Sequence, residues 1–265
     1  MNVLSLFDGM SCGQIALQKS GFQVDKYFAS EIDKYAIKVA KANYPDMVHL
    51  GDVQDVKADD LPQIDLLIGG SPCQGFSFAG KQLNFDDPRS KLFWEFVRLL
   101  KDLRPKYFLL ENVKMKQQSM DVITEALGVE PIFINSNTVS AQNRQRYYWT
   151  NISCELPSNS DVMLSDIIEN GWVDRAYSHC IDANYFKGGN LKSYFEKHRR
   201  QLVFTDESMT EFRKLTPLEC ERLQTVPEGY TNHVSNTQRY KMLGNGWTVD
   251  VISHIFNGMK ETNNA

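Results

Sequence analysis

Strand-like and helix-like patterns alternate along the first half of the chain, and few folds accommodate that order. Apolar runs with β-branched or aromatic residues stand at Val3–Phe7, Tyr27–Ser30, Leu66–Ile68 and Tyr107–Leu110. Helical spacing falls between them, at Gln14–Lys19, at Tyr35–Asn43 behind a candidate N-cap at Asp33, and at Lys91–Leu103. In the last of these, Leu92, Phe93, Phe96, Leu99, Leu100 and Leu103 recur every three to four residues. Strand–helix–strand repetition predicts an α/β fold, a parallel sheet with helices on both faces. Ligands of such sheets bind beyond the carboxyl ends of the strands, so those ends carry the functional reading.

Residues 151–212 read differently. Asn, Ser and Asp are frequent, Gly188-Gly189 interrupts any long element, and short strands and loops are expected. Helical signals return with Thr216-Pro217, a cap followed by a residue favoured at helix starts, and a last helix is expected from Val249 to Met259. The chain therefore divides into a main unit at 1–150, a small region at 151–212 and C-terminal helices at 213–265 that return to complete the main unit.

Composition limits the partners. Thirty-three acidic against 29 basic residues give a net charge of −4, so a nucleic acid has to meet a local basic face. The five cysteines, Cys12, Cys73, Cys154, Cys180 and Cys220, are odd in number and contain no CxxC, which argues against a disulfide framework. No two of the five histidines stand at ligand spacing, and no metal is expected. No apolar run approaches the ~18 residues of a membrane span. The start, MNVLSLFDGM, lacks the basic flank of a secretory signal. A reducing, cytoplasmic setting is expected.

The strand ends share a theme. Phe7-Asp8-Gly9-Met10-Ser11 follows the first strand, and its glycine lets backbone approach a ligand closely, although the pattern is not GxGxxG. Glu31 follows the second strand, where an acid can receive ribose hydroxyls, and Asp52 follows a third, where it can accept from an adenine amine. Asp65–Gly70 leads into Ser71-Pro72-Cys73-Gln74-Gly75-Phe76-Ser77, with Pro72 restricting the backbone beside the thiol. The loop that continues to Pro88 is long enough to act as a lid. The next strand ends in Leu110-Glu111-Asn112-Val113, which brings Glu111 near Cys73. A thiol nucleophile beside a carboxyl group suits addition to an electron-poor ring.

With these residues in view, the chain resembles the cytosine-5 DNA methyltransferases from end to end. FDGMSCG is similar to that family's first cofactor motif, SPCQGFS to its Pro-Cys motif, LLENV to its Glu-Asn-Val motif and QNRQR to its Gln-x-Arg-x-Arg motif. RKLTPLECERLQTVP resembles the stretch after the recognition region, and RYKMLGNGWTVDV the closing Gly-Asn motif. Two departures stand out. Ser11-Cys12-Gly13 follows Met10 where the usual Phe-x-Gly-x-Gly-Gly motif has Gly-Gly, and Gly246-Trp247-Thr248 follows Asn245 where Ala/Ser-Val-Pro is usual.

The resemblance implies a Rossmann-like S-adenosylmethionine-dependent methyltransferase sheet with a small target-recognition subdomain at 151–212. It implies S-adenosylmethionine as cofactor, held by Phe7, Asp8, Gly9, Met10, Ser11, Glu31, Ile32, Asp52, Val53, Pro72, Asn245 and Trp247. It implies Cys73 as nucleophile on C6 of a flipped-out cytosine, Glu111 at N3 and the exocyclic amine, Arg146 at O2 and Arg144 in support. An ordinary thiol, with pKa about 8.5, is mostly protonated at neutral pH and has to be activated. Double-stranded DNA is the implied substrate, with Gln74, Ser77, Lys81, Arg89, Lys91, Arg199 and Arg200 as contacts and the run from Lys197 as a basic patch. A monomer is expected, and a cognate restriction endonuclease is a candidate partner of an enzyme of this prokaryotic or phage type. The alternatives are the same reaction on transfer RNA and, further off, an inactive regulatory relative.

Overall fold

The computed structural model describes residues 1–71 and 91–261. Strands β1 (Asn2–Leu6), β2 (Lys26–Ser30), β3 (Val48–Gly51), β4 (Leu66–Gly70) and β5 (Tyr107–Val113) run parallel, with helices α1 (Cys12–Lys19), α2 (Lys34–Asn43) and α3 (Lys91–Leu103) between them. Helix α4 (Gln117–Leu127) follows, then β6 (Pro131–Asn135) and β7 (Gln145–Thr150). The seven strands form one sheet in the order β3-β2-β1-β4-β5-β7-β6. The expectation of a purely parallel sheet is corrected at one edge, where β7 is antiparallel to both β5 and β6. The physical reason is length: a short connection suffices for an antiparallel neighbour, whereas a parallel one needs a crossover.

Burial follows the two-residue period of the strands. Val3, Tyr27, Ala29, Leu66, Ile68 and Leu109 face one core, with Ile15, Ala16 and Leu17 of α1 and Val39 and Ala40 of α2. Leu4, Leu6, Phe28, Leu67, Phe108 and Leu110 face the other, with Phe93, Phe96, Val97 and Leu99 of α3 and Ile123 and Leu127 of α4. Near-continuous apolar strands are therefore the consequence of helices on both faces. Asp33 caps α2 by accepting from Tyr35 N at 2.9 Å.

Between 151 and 212 lie helices α5 (Leu164–Ile167) and α6 (Leu191–Lys197), and β8 (Leu202–Phe204), which pairs with β9 (Phe212–Lys214). Tyr194, Leu202 and Phe204 make a small core of their own. Helices occur here besides the strands and loops expected; both are too short to leave a periodic signal.

The chain then returns through α7 (Pro217–Leu223), α8 (Asn236–Asn245) and α9 (Val249–Glu261). Thr216 and Glu219 form a capping box at the start of α7. Helix α9 packs on α1, where Ser20 Oγ reaches Ser253 O at 3.1 Å and Ser253 Oγ reaches Ala16 O at 3.2 Å. Helix α7 carries two fully buried carboxylates, Glu219 and Glu221. Arg213 pairs with the first at 2.7 Å and Arg239 of α8 with the second at 3.1 Å.

Removing one partner of a buried pair strands the other charge, at a cost of about 3–5 kcal/mol. Arg239→Met is therefore expected to lower stability by about that amount in a denaturant titration. A loss under about 1 kcal/mol, the scale of a surface pair, would mean that the bonds from Thr231 and Gly229 already satisfy Glu221.

Candidate active site

The order of strands reverses at β1 and β4, and the crevice beyond their carboxyl ends is the expected binding place in an open α/β sheet. A cavity of about 390 Å³ opens there. It is walled by the turn after β1, the end of β2, the end of β5 and the junction between α8 and α9.

The turn after β1 is tightly wound. Phe7, Gly9 and Ser11 all have left-handed backbone, with φ of 56°, 61° and 66°. For Phe7 and Ser11 this costs on the order of 1–3 kcal/mol each and needs support from around it. Asp8 N donates to Ser30 O at 3.1 Å, Gly9 N to Glu31 Oε2 at 2.7 Å, and Tyr230 Oη to Met10 O at 2.6 Å. Glu31 Oε1 also accepts from the amides of Ile32 and Asp33, both at 2.8 Å. Three of the roughly four acceptor positions of this carboxylate are thus used to brace β2 against the turn, and about one remains for a ligand.

Asp8 accepts from Tyr27 Oη at 2.8 Å and from Ser11 Oγ. Burial pushes its pKa up to about 6, opposed by the bonds from Ser11, Ser5 and Tyr27 and reinforced by the charge of Glu31. Asp8, Glu31 and Asp33 make this wall acidic, which suits a cationic ligand. Ile32 stands beside it 74% exposed, an apolar side chain free to meet a flat ring.

Glu111 sits on β5 opposite Gly70 of β4 and Tyr148 of β7. Arg146 Nε lies 2.7 Å from Glu111 Oε1, an ion pair whose N–H is not aligned as a hydrogen bond. Trp247 Nε1 donates to Glu111 Oε2 at 3.0 Å. Burial opposes the charge of Arg146, but Glu111, Cys180 and Tyr148 together outweigh it and raise its pKa. Asn112 Nδ2 donates to Ser71 O at 3.2 Å and to Ser71 Oγ at 3.1 Å, so the residue before Pro72-Cys73 is tied to the end of β5.

Arg144 is buried and spends its guanidinium on backbone. Nη1 donates to Ile181 O at 3.0 Å, and Nη2 to Gly244 O at 3.1 Å and Gly246 O at 2.8 Å. Cys180 Sγ lies 3.3 Å from Nη1.

The cavity thus brings together Phe7, Asp8, Gly9, Met10, Glu31, Glu111, Arg144, Arg146, Asn245 and Trp247. Other candidates stand apart from its lining. Ser11 is buried beneath the turn, and Val53 is buried in the core on the α3 side. Asp52 accepts from Gln54 N at 3.0 Å as the cap of a short turn. Lys91 and Arg199 are exposed, but Arg199 pairs with Asp182 at 3.3 Å and Arg200 donates to Gly188 O at 2.8 Å. Pro72, Cys73, Gln74, Ser77, Lys81 and Arg89 lie outside the described residues, as does the lid expected up to Pro88. Sequence reasoning missed the tie from Asn112, although the Glu-Asn-Val triple pointed at it. It missed Asp33, Gln238 and Lys241 in the wall as well. No cluster of metal-ligating side chains occurs among the described residues, and none of their helices is long and apolar enough to cross a membrane.

The sheet and the crevice at its switch point are those of a Rossmann-like α/β fold. The family model for the C-5 cytosine-specific DNA methylase matches residues 1–177 and 158–261. The Type II methyltransferase M1.ScrFI of Lactococcus lactis subsp. cremoris is 31% identical, over 98% of this chain and 78% of that protein. The Type II methyltransferase M.SsoII of Shigella sonnei is 29% identical, over 96% of this chain and 78% of that protein. In fold, the chain matches the Entamoeba histolytica methyltransferase EhMeth with a TM-score of 0.77 at 17% identity, covering 99% of this chain and 98% of that one. The chain belongs to the C-5 cytosine-specific DNA methylase family, and its reaction is the methylation of cytosine C5 in DNA.

The environment of Asp8 carries a pH signature. Its folded pKa of about 6 exceeds the unfolded value near 3.8, so the folded state binds the extra proton between those values. This component of stability is therefore full below pH ~4 and is lost as pH rises through about 6. Melting temperatures of Asp8→Asn minus wild type, measured from pH 4 to 7, are expected to rise across that window. A flat difference would mean an ordinary carboxylate at Asp8.

Proposed function

We propose that the methyl donor is S-adenosylmethionine and that transfer proceeds through a covalent bond between Cys73 and C6 of a flipped-out cytosine. The observation that carries this reading is the joining of two functions in one cavity: an acidic wall at Asp8 and Glu31, and a Glu111–Arg146 pair at the end of β5. The donor brings a positively charged sulfonium that carries a transferable methyl group. The fit of the wall supports it, with carboxylates for the cationic end, one free acceptor position on Glu31 for a ribose hydroxyl and exposed Ile32 for the adenine face. Phe7, the backbone of Gly9 and Met10, Asn245 and Trp247 complete the enclosure.

C5 of cytosine is a poor nucleophile. Attack of the Cys73 thiolate on C6 forms a carbon–sulfur bond and moves an electron pair toward C5 and N3. Glu111 meets N3 and the exocyclic amine and supplies the proton where that charge would collect. Arg146 faces O2, and Arg144 holds the backbone around it. After C5 takes the methyl group, and the donor sulfur keeps the electron pair as a neutral thioether, the C5 proton leaves, the returning electrons expel the Cys73 thiolate, and N3 gives its proton back to Glu111 as the aromatic ring is restored. None of this can occur inside a duplex, and extruding the base costs a few kcal/mol, which phosphate contacts at Lys81, Arg89, Lys91 and Arg199 help to meet. Arg200, bonded to Gly188, shapes that face more than it contacts phosphate.

Labelled S-adenosylmethionine offered with duplex DNA or transfer RNA tests the reading. Label is expected in DNA alone, recovered as 5-methylcytosine after digestion to nucleosides. Label recovered from transfer RNA but not from DNA would overturn the substrate, and label on N4 of cytosine would overturn the chemistry.

A further inference from the structure

We propose that Trp247 and Gly70 together position the carboxylate of Glu111 against the reacting base. The inference rests on the reading of Glu111 as the group that meets cytosine N3. A carboxylate on a flexible side chain serves that task only if its plane is fixed. Two donors from different segments reach its two oxygens, Arg146 at Oε1 and Trp247 Nε1 at Oε2. Of these, the Trp247 contact at 3.0 Å is the aligned hydrogen bond. Indole is a single rigid donor with no acceptor, so its polar edge can serve only a group such as this. Its own position is fixed from behind, because the carbonyl of Gly246 accepts from buried Arg144 at 2.8 Å.

Gly70 supplies the room. A Cβ built on it would lie 3.0 Å from Glu111 Oε2 and 3.0 Å from Trp247 Nε1, wedged between the bonded atoms. The glycine at the end of β4 is thus explained by space and not by backbone conformation. Trp247 stands where the family's closing motif usually has Val, so the N–H donor comes with this departure from the motif. Trp247 is a positioning residue: it acts on the base through Glu111.

Single-turnover transfer of labelled methyl to duplex DNA at saturating S-adenosylmethionine tests this, with donor affinity measured separately by calorimetry. Trp247→Phe keeps the ring and removes the N–H. It is expected to slow transfer by about 10- to 100-fold, the value of a hydrogen bond to a charged group, while donor affinity changes by less than about threefold. In a Glu111→Gln background the same change should cost no more than about a further twofold, because coupled residues do not add. Gly70→Ala should reproduce the loss with both side chains intact, and thermal melts identify any variant that fails to fold. Losses that multiply in the double variant, or an effect confined to donor affinity, would make Trp247 only a wall of the cavity and overturn the proposal. A near-normal rate in Glu111→Gln would instead remove the reading of Glu111, and the proposal with it.

Discussion

Arg144 is the point at which the distant parts of the chain meet. It precedes β7, and its guanidinium is bound by carbonyls of Ile181, Gly244 and Gly246. A buried cation is costly unless every donor finds an acceptor, so these carbonyls have little freedom to move. Gly244 is packed so closely that a Cβ would lie 2.2 Å from the backbone of Asp182. The loop around Ile181 and Asp182 inside the 151–212 region, the end of α8 and the sheet are thereby locked together. The cavity exists because the last segment is held over the strand ends, and Trp247 reaches Glu111 from that segment.

The same logic explains two arginines with similar sequence settings and different tasks. Arg144 and Arg146 are two residues apart. One meets carbonyls and stabilises a chain crossing; the other meets a carboxylate inside the cavity. Burial and the nearby Arg146 push the pKa of Arg144 down, opposed by Cys180, Glu111 and Tyr148; its own partners are carbonyls, whereas Arg146 pairs with Glu111. Glu111 is left as the carboxylate facing that guanidinium.

Local signals were the legible ones. Asp33 capping α2, Thr216 with Glu219 opening α7, and the three-to-four spacing of α3 are each contained within a turn or two of helix. Strands β1, β2, β4 and β5 were readable because burial on both faces makes them apolar throughout. Strand β7 begins with Gln145 and Arg146, and α8 reads NTQRYKMLGN, so neither announces itself by composition. Their places are set by tertiary contacts with β5 and α7. The strand-end acids divide the same way: Glu31 follows β2, next to β1, and lines the cavity, whereas Asp52 follows the edge strand β3 and caps its own turn. The link from Trp247 to Glu111 spans 136 residues of sequence, and no local pattern encodes it.

The covalent step is the claim on which the chemistry turns. Fluorine at C5 cannot leave as a proton, so duplex DNA carrying 5-fluorocytosine at the target should hold the enzyme after methyl transfer. Incubation with S-adenosylmethionine is expected to give a protein–DNA band that survives denaturing electrophoresis and is lost in Cys73→Ser, because a hydroxyl is far less nucleophilic than a thiolate at neutral pH. The band should persist when Cys12, Cys154, Cys180 or Cys220 is replaced by Ala. A band that survives Cys73→Ser and vanishes with one of the other four would contradict the nucleophile, and with it the active site beyond the end of β4.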